Sequence, residues 1–189
     1  MVILIGASCS GKDTIKKELI KRGIKSLVTT TTRPPRDGEI NGVTYNFMKK
    51  DRFLKLKEKG YFAETTSYNV MNDETWYYGT SLNSLKIADK NTVIILNPDG
   101  FRKVKEIEGL DIVSFYIQAK KSVIKKRLKA RGDNRKEAKR RMKADKIDFE
   151  GIESEVDYTI DNNGRKTISE IADIIQFHAN TRKGERNTK

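Results

Sequence analysis

Residues Met1–Thr14 read MVILIGASCSGKDT, and this stretch decides the fold. Met1 to Ile5 is a continuous apolar run, the pattern of a strand buried on both faces. A loop bounded by glycines follows, Gly6-Ala7-Ser8-Cys9-Ser10-Gly11-Lys12, and runs into a helical pattern from Asp13 to Lys21. Strand, Gly-x4-Gly-Lys loop and helix, in that order, make a P-loop. Its backbone N–H groups form a nest at a helix N-terminus, where many donors and the helix dipole favour a polyphosphate. Lys12 adds a mobile positive charge over the terminal phosphates. The residue after that lysine is commonly Ser or Thr, whose hydroxyl reaches Mg²⁺. Here Asp13 stands in that place and Thr14 follows, so Thr14 is the candidate hydroxyl on the metal side.

Outward from the loop, strand and helix patterns alternate. Strands are expected at 25–29, 43–48, 61–66, 92–96, 112–117 and 158–160, in a strand-rich insertion from about 30 to 80 and in the core around it. Helices are expected from a cap at Asp51 to about Lys59, from a cap at Ser81 to about Ala88, and at 101–108, 121–131, 135–149 and 168–178. Residues 30–42, TTTRPPRDGEING, and 67–74 read as loops. The runs Thr92–Leu96 and Ile112–Ile117 are apolar throughout, as parallel core strands are. The expected fold class is α/β: a three-layer αβα of P-loop NTPase type with a parallel central sheet, a small mixed α/β insertion and a helical lid. The expected division is a core of residues 1–29, 81–131 and 150–180, an insertion at 30–80, a lid at 132–149 and a flexible tail at 181–189.

Composition narrows the class. The 189 residues suit one core with insertions, and clear apolar runs set the chain apart from a disordered one despite 34% charged residues. No segment is long enough to cross a membrane, and a strand from residue 2 leaves no room for a signal peptide, so a cytoplasmic protein is expected. A single cysteine, Cys9, excludes an internal disulfide framework. The 39 Lys and Arg against 26 Asp and Glu give a net charge of +13, which favours anionic partners. No aromatic–basic pattern of a nucleic-acid-binding module accompanies that charge, so small nucleotides are the expected partners and nucleic acid is not.

One further segment points to a substrate. In Thr29-Thr30-Thr31-Thr32-Arg33-Pro34-Pro35-Arg36, stiff backbone holds two arginines three residues apart, each able to grip phosphate oxygens bidentately. Tyr45 and Tyr78 supply phenolic donors. The segment TTTRPPRDGEINGVTYNF resembles the signature of guanylate kinases, S/T-x-T-T-R-x-P-R-x-G-E-x-x-G-x-x-Y-x-F, and the P-loop, the Tyr-Tyr-Gly-Thr stretch and KKRLKARG occur in that family's order. The resemblance runs from residue 2 to about 178. It implies ATP and Mg²⁺ as cofactors, with ATP on residues 6–14 (Gly6, Ala7, Ser8, Cys9, Ser10, Gly11, Lys12, Asp13, Thr14) and on Arg127, Arg131 and Asn162. It implies GMP phosphate on Arg33, Arg36, Tyr45 and Tyr78, and guanine on Thr29, Glu64, Thr80 and Asp99. Lys12, Arg33, Arg131 and Arg141 are the residues it places on the transferring phosphoryl group. Chemistry agrees at Glu64: guanine presents two adjacent donors, N1–H and the 2-amino group, which one carboxylate accepts together, whereas adenine presents no such pair.

Phosphoryl transfer needs positioning and positive charge rather than a nucleophilic side chain, so the absence of a catalytic Cys or His is expected, and the single histidine, His178, reads as structural. The match departs from the family at Asp13, at a loop of residues 69–74 that is longer than usual, and at Asn97, where an Asp is usual in Asn97-Pro98-Asp99. These departures leave open a kinase of the same fold acting on another nucleoside monophosphate or a phosphorylated sugar. A binding module that holds a protein partner is the reading from another class, and the intact Gly6, Gly11 and Lys12 count against it. Monomer and homodimer both remain compatible.

Overall fold

The computed structural model describes residues 1–70, 74–132 and 134–181. In chain order these form β1 (Val2–Ile5), α1 (Lys12–Lys21), β2 (Lys25–Ser26), β3 (Thr30–Thr31), β4 (Asn46–Phe47), α2 (Lys50–Glu58), β5 (Phe62–Asn69) and β6 (Thr75–Ser81). Then come α3 (Leu82–Lys86), β7 (Thr92–Ile95), α4 (Pro98–Lys105), β8 (Val113–Gln118), α5 (Lys121–Ala130), α6 (Arg135–Asp148), a 3₁₀ turn at Ile152–Ser154, β9 (Tyr158–Asp161) and α7 (Ile168–Thr181). The chain divides into two compact units. One comprises Met1–Ser26, Lys90–Phe101 and the chain from Asp111; the other comprises Leu27–Asp89 and Arg102–Leu110.

The first unit is built on a five-stranded sheet of order β2-β7-β1-β8-β9, parallel throughout. The most apolar strand, β1, lies at its centre between β7 and β8, with Ile3 opposite Ile94 and Ser114. Alternate residues serve opposite faces. Val2 and Leu4 join Ile15 and Leu19 of α1 and Ile171, Ala172 and Ile175 of α7 in one core. Ile3 and Ile5 on the other face are fully buried too, so both sides of the sheet are covered. Each such side chain contributes about 1.5–3 kcal/mol by leaving water. His178 stacks on Tyr158 with ring centroids 4.0 Å apart, a structural contact of α7 with β9.

The second unit holds a mixed sheet of order β4-β3-β6-β5. Its long element is the antiparallel β5–β6 hairpin, from Glu64↔Thr80 to Asn69↔Thr75. Phe53 of α2 stacks on Phe62 at 4.4 Å under this hairpin. A Cβ at Gly79 would stand 2.9 Å from the Phe62 ring and 3.1 Å from that of Phe53, so only glycine lets β6 approach the pair.

Several boundaries differ from expectation, each for a local reason. The expected strand 25–29 is cut at Ser26, and Leu27 opens the second unit. The β-branched run at Thr30–Thr31, expected as loop, instead forms β3 and pairs with Gly79 and Tyr78. The expected strand 43–48 is only Asn46–Phe47, because Val43 and Thr44 N–H groups both turn back to the Ile40 carbonyl. Lys49, not Asp51, precedes α2, and Asp51 falls in the first turn, where its charge still complements the helix dipole. Ser67–Asn69, expected as loop, continue β5 because each finds a partner on β6. Ser81 does cap α3, accepting from the Ser84 N–H, but residues 81–89 belong to the second unit, where α3 packs on β5 and β6 and buries Leu85. Pro98 starts α4 three residues early, since proline at the first helical position forfeits no hydrogen bond. The centre of the expected long loop, residues 71–73, lies outside the described residues, as does the tail beyond Thr181.

Candidate active site

Each unit carries one cluster. In the first, β1 delivers the chain to the Gly6–Gly11 loop and α1 leaves it at Lys12. Ser10 N–H closes on the Ala7 carbonyl at 3.1 Å, and Cys9 takes φ +59°, an uncommon value for a residue with a side chain. The loop is braced from two other elements. Arg127 of α5 donates to the carbonyls of Cys9 (3.2 Å), Ser10 (2.9 Å) and Asn162 (2.9 Å). Asn162, buried just beyond β9, donates through Nδ2 to the Ser10 carbonyl at 2.7 Å. These bonds tie the Cys9 and Ser10 carbonyls to α5 and to the turn after β9. The Ser10 hydroxyl is buried with no hydrogen-bond partner among the described residues, a polar atom the loop itself does not satisfy.

Gly11 is held at φ +108°, and a Cβ there would stand 2.2 Å from Asn162 Nδ2. Gly11→Ala therefore meets left-handed strain of about 1–2 kcal/mol and breaks the Asn162–Ser10 bond, worth about 0.5–1.5 kcal/mol. Chemical denaturation should show a lowered midpoint, and nucleotide affinity should fall at least about tenfold. An unchanged midpoint would refute this account of the loop.

The Lys12 ammonium donates to the carbonyls of Gly6 (2.6 Å) and Ala7 (2.9 Å). Burial lowers its pKa, against the pull of Asp13, Asp145 and Cys9, and Arg131 lies near enough to push the same way as burial. Arg131 caps the C-terminus of α5, and Arg141 lies on α6. Asp13 and Thr14 are exposed on the first turn of α1. Sequence reasoning missed three residues here. Asp145 of α6 accepts the Ser8 N–H at 2.9 Å. Asp148 has its carboxyl raised by burial and by the charges of Asp145 and Asp99. Tyr116 is raised by burial and by Glu153 and Asp145. Nothing in the local sequence marks these residues, because their proximity is made by β8, α4 and α6 folding together.

Asp99 falls in this first unit, in the opening turn of α4. Asn97 just before it accepts the Gly100 N–H at 2.9 Å through its side chain, while its carbonyl accepts from Phe101. It is therefore the helix cap, a task for which Asn and Asp are equally suited.

The second unit brings Arg33, Glu39, Tyr45 and Tyr78 into contact and pairs Glu64 with Thr80 on its hairpin. Arg33 is 4% exposed, and its guanidinium meets both oxygens of Glu39 at 2.8 and 2.9 Å and the Pro34 carbonyl. It also lies 5.5 Å from the centre of the Tyr45 ring. Burial alone would disfavour the cation, but the bonds to Glu39 outweigh it and raise the Arg33 pKa. Glu39 responds in kind: burial raises it, yet Arg33 and the Arg36 N–H bring it below the usual value. Tyr45 and Tyr78 meet edge to face at 6.2 Å, and the Arg36 side chain is exposed. Thr29 joins through its carbonyl, which accepts from Asn46. On the hairpin, Thr80 Oγ1 donates to Glu64 Oε1 at 2.5 Å, and both residues are buried. Burial raises the Glu64 pKa, with Thr80 and Lys103 drawing it partly back.

A central parallel strand feeding a glycine-bounded loop and a helix, flanked by helices over both faces, defines a P-loop kinase-type fold. The guanylate kinase family model matches residues 1–178. The chain is 32% identical over 187 residues to guanylate kinase of Clostridioides difficile (strain 630), covering 95% of this chain and 88% of that protein. It is 32% identical over 173 residues to guanylate kinase of Prochlorococcus marinus (strain MIT 9312), covering 84% and 91%. The crystal structure of guanylate kinase from Anaplasma phagocytophilum aligns with a TM-score of 0.70 at 25% identity, over 96% of this chain and 85% of that one. The chain belongs to the guanylate kinase family, and so to the enzymes that transfer phosphoryl groups as nucleoside monophosphate kinases.

Proposed function

We propose that the protein transfers the terminal phosphoryl group of ATP to GMP, and to dGMP, giving ADP and GDP. The observation that carries the acceptor is the buried Glu64 carboxylate, held by Thr80 on a rigid hairpin. It accepts N1–H and the 2-amino group of guanine together, and a buried acceptor left unpaired by any other base selects strongly against it. Arg33, presented by Glu39, grips the GMP phosphate with Arg36, Tyr45 and Tyr78, while Thr29 and Asp99 complete the guanine contacts.

The P-loop amides and Lys12 hold the ATP phosphates, with Arg127 and Asn162 bracing the loop. Arg131 and Arg141 place positive charge on the moving oxygens. The transfer is in line and needs no covalent intermediate, so positioning and charge supply most of the rate. Thr14 and Asp13 offer the hard oxygen donors that suit Mg²⁺, an ion that keeps waters and substrate phosphates as its other ligands. It would supply charge neutralisation at the phosphates. We place the protein in the cytoplasm as a monomer or homodimer acting on free nucleotides, with neither nucleic acid nor membrane as partner. Among the described residues no helix is long and apolar enough to cross a membrane.

Asn97 no longer argues for a different acceptor, because helix capping accounts for it. The test is ADP production from ATP and Mg²⁺ with GMP, dGMP, AMP, CMP and UMP offered separately. Turnover confined to GMP and dGMP is expected. Turnover with none of the five would redirect attention to phosphorylated sugars.

A further inference from the structure

The contact between Ser8 and Asp145 has no part in that scheme. The two residues are 137 positions apart, and the bond joins a P-loop amide to a carboxylate on α6. Loop amides of this kind are the donors a nucleotide phosphate uses. A carboxylate oxygen 2.9 Å from one of them satisfies it much as a phosphate oxygen does, with the added strength of a charged acceptor. Lys12 bonds to its own loop carbonyls and feels the Asp145 charge.

We infer that Asp145 is an internal competitor of nucleotide phosphate: its carboxylate and a phosphate oxygen contend for the Ser8 amide, and ATP binds by displacing it. The proposal rests on the P-loop being the ATP site. Its surroundings make the displacement directional. The Asp145 charge already acts on Asp148, the Tyr116 hydroxyl and the Lys12 ammonium, so an incoming polyanion adds repulsion to a carboxylate held by the Ser8 amide. Arg141 lies four residues before Asp145 on α6, one turn along the same helix face. A shift of α6 by one turn, about 5.4 Å, exchanges an anion for a cation at the loop. The helix then blocks the loop when empty and supplies charge when it is filled.

The experiment is calorimetric titration of the full-length protein with ATP, and separately with inorganic tripolyphosphate, for wild type, Asp145→Asn and Asp145→Ala. Asn keeps the shape and one acceptor oxygen; Ala keeps neither. Affinity for both ligands should rise about tenfold or more in Asp145→Ala and less in Asp145→Asn, and exchange of the Ser8 amide proton should quicken in both without ligand. Equal or weaker binding by both variants overturns the proposal. So does tightening with ATP but not with tripolyphosphate, because the competition is then not at the phosphates. No GMP is present, so a failure of the acceptor assignment leaves these titrations readable; wild type that binds neither ligand overturns the P-loop assignment and this proposal together.

Discussion

Lys12→Ala lowers turnover of ATP with GMP by about 10³-fold or more, with a far smaller effect on the stability of the folded protein. The kinetic effect follows from what the ammonium does as charge moves. It is a cation on a long rotatable stem beside a loop whose other donors are backbone amides, so it can follow the phosphoryl group where they cannot. Loss of such a contact falls mainly on kcat, because its strength grows with the charge on the transferring oxygens. The stability effect follows from burial. In the folded state the Lys12 pKa is lowered, chiefly because burial penalises its charge. A lowered folded value in a base means that folding carries a cost which is full at pH below that folded value and vanishes as pH rises through the unfolded value. Alanine removes this cost, but it also takes the ammonium from the Gly6 and Ala7 carbonyls, and because Gly6 is buried that loss offsets part of the gain. Steady-state kinetics and a thermal melt at pH 7 check both parts. A variant retaining more than a tenth of wild-type kcat would remove Lys12 from the transferring group.

The phosphate-binding frame was legible because its signal is local. Five apolar residues, a glycine-bounded loop and a helix lie within 21 positions, and β1 and α1 fall where the sequence puts them, with Gly11 at the positive φ such a turn demands. Parallel core strands were legible for a related reason: burial on both faces leaves an uninterrupted apolar run, seen in β7 and β8. The second unit was read less well. There Pro34, Pro35, Gly38 and Gly42 dominate composition, while the sheet is made by short threonine and aromatic segments that become strands only because β6 is beside them. Propensity cannot see such a partner.

At the candidate site the residues of the signature segment were legible as types, but their pairing was not. That Arg33 is already neutralised by Glu39, or that Asn97 is a helix cap, depends on backbone geometry a few residues away. Asp145 is the extreme case. On the sequence it is one acid in a strongly basic helix, and only the fold carries it to an amide 137 residues distant.

Glu64→Gln gives the second large effect, a fall in kcat/KM for GMP of about 10²–10⁴. Two hydrogen bonds to a charged acceptor are worth about 1.5–3 kcal/mol each, and glutamine keeps one acceptor while turning an N–H donor toward a second donor on guanine. The same amide suits adenine, which offers an acceptor at N1 beside its 6-amino donor. Discrimination against AMP should therefore narrow even as GMP turnover collapses, which Glu64→Ala, lacking either group, should not reproduce. The pH dependence separates recognition from folding. Burial raises the Glu64 pKa, and only the ionised form accepts both guanine donors, so the acid limb of kcat/KM should lie above the ordinary carboxylate range and disappear in the glutamine variant. The sign for stability is opposite. A folded pKa raised above the unfolded one contributes stability that is complete below the unfolded value and is lost as pH rises through the folded value. That contribution fades in wild type as pH rises and is absent from the glutamine variant, so the difference in melting temperature should move in favour of Glu64→Gln toward higher pH, although the variant binds GMP far more weakly. A glutamine variant that keeps both wild-type GMP efficiency and its acid limb would take Glu64 out of base recognition and return the acceptor to the phosphorylated compounds that lack guanine.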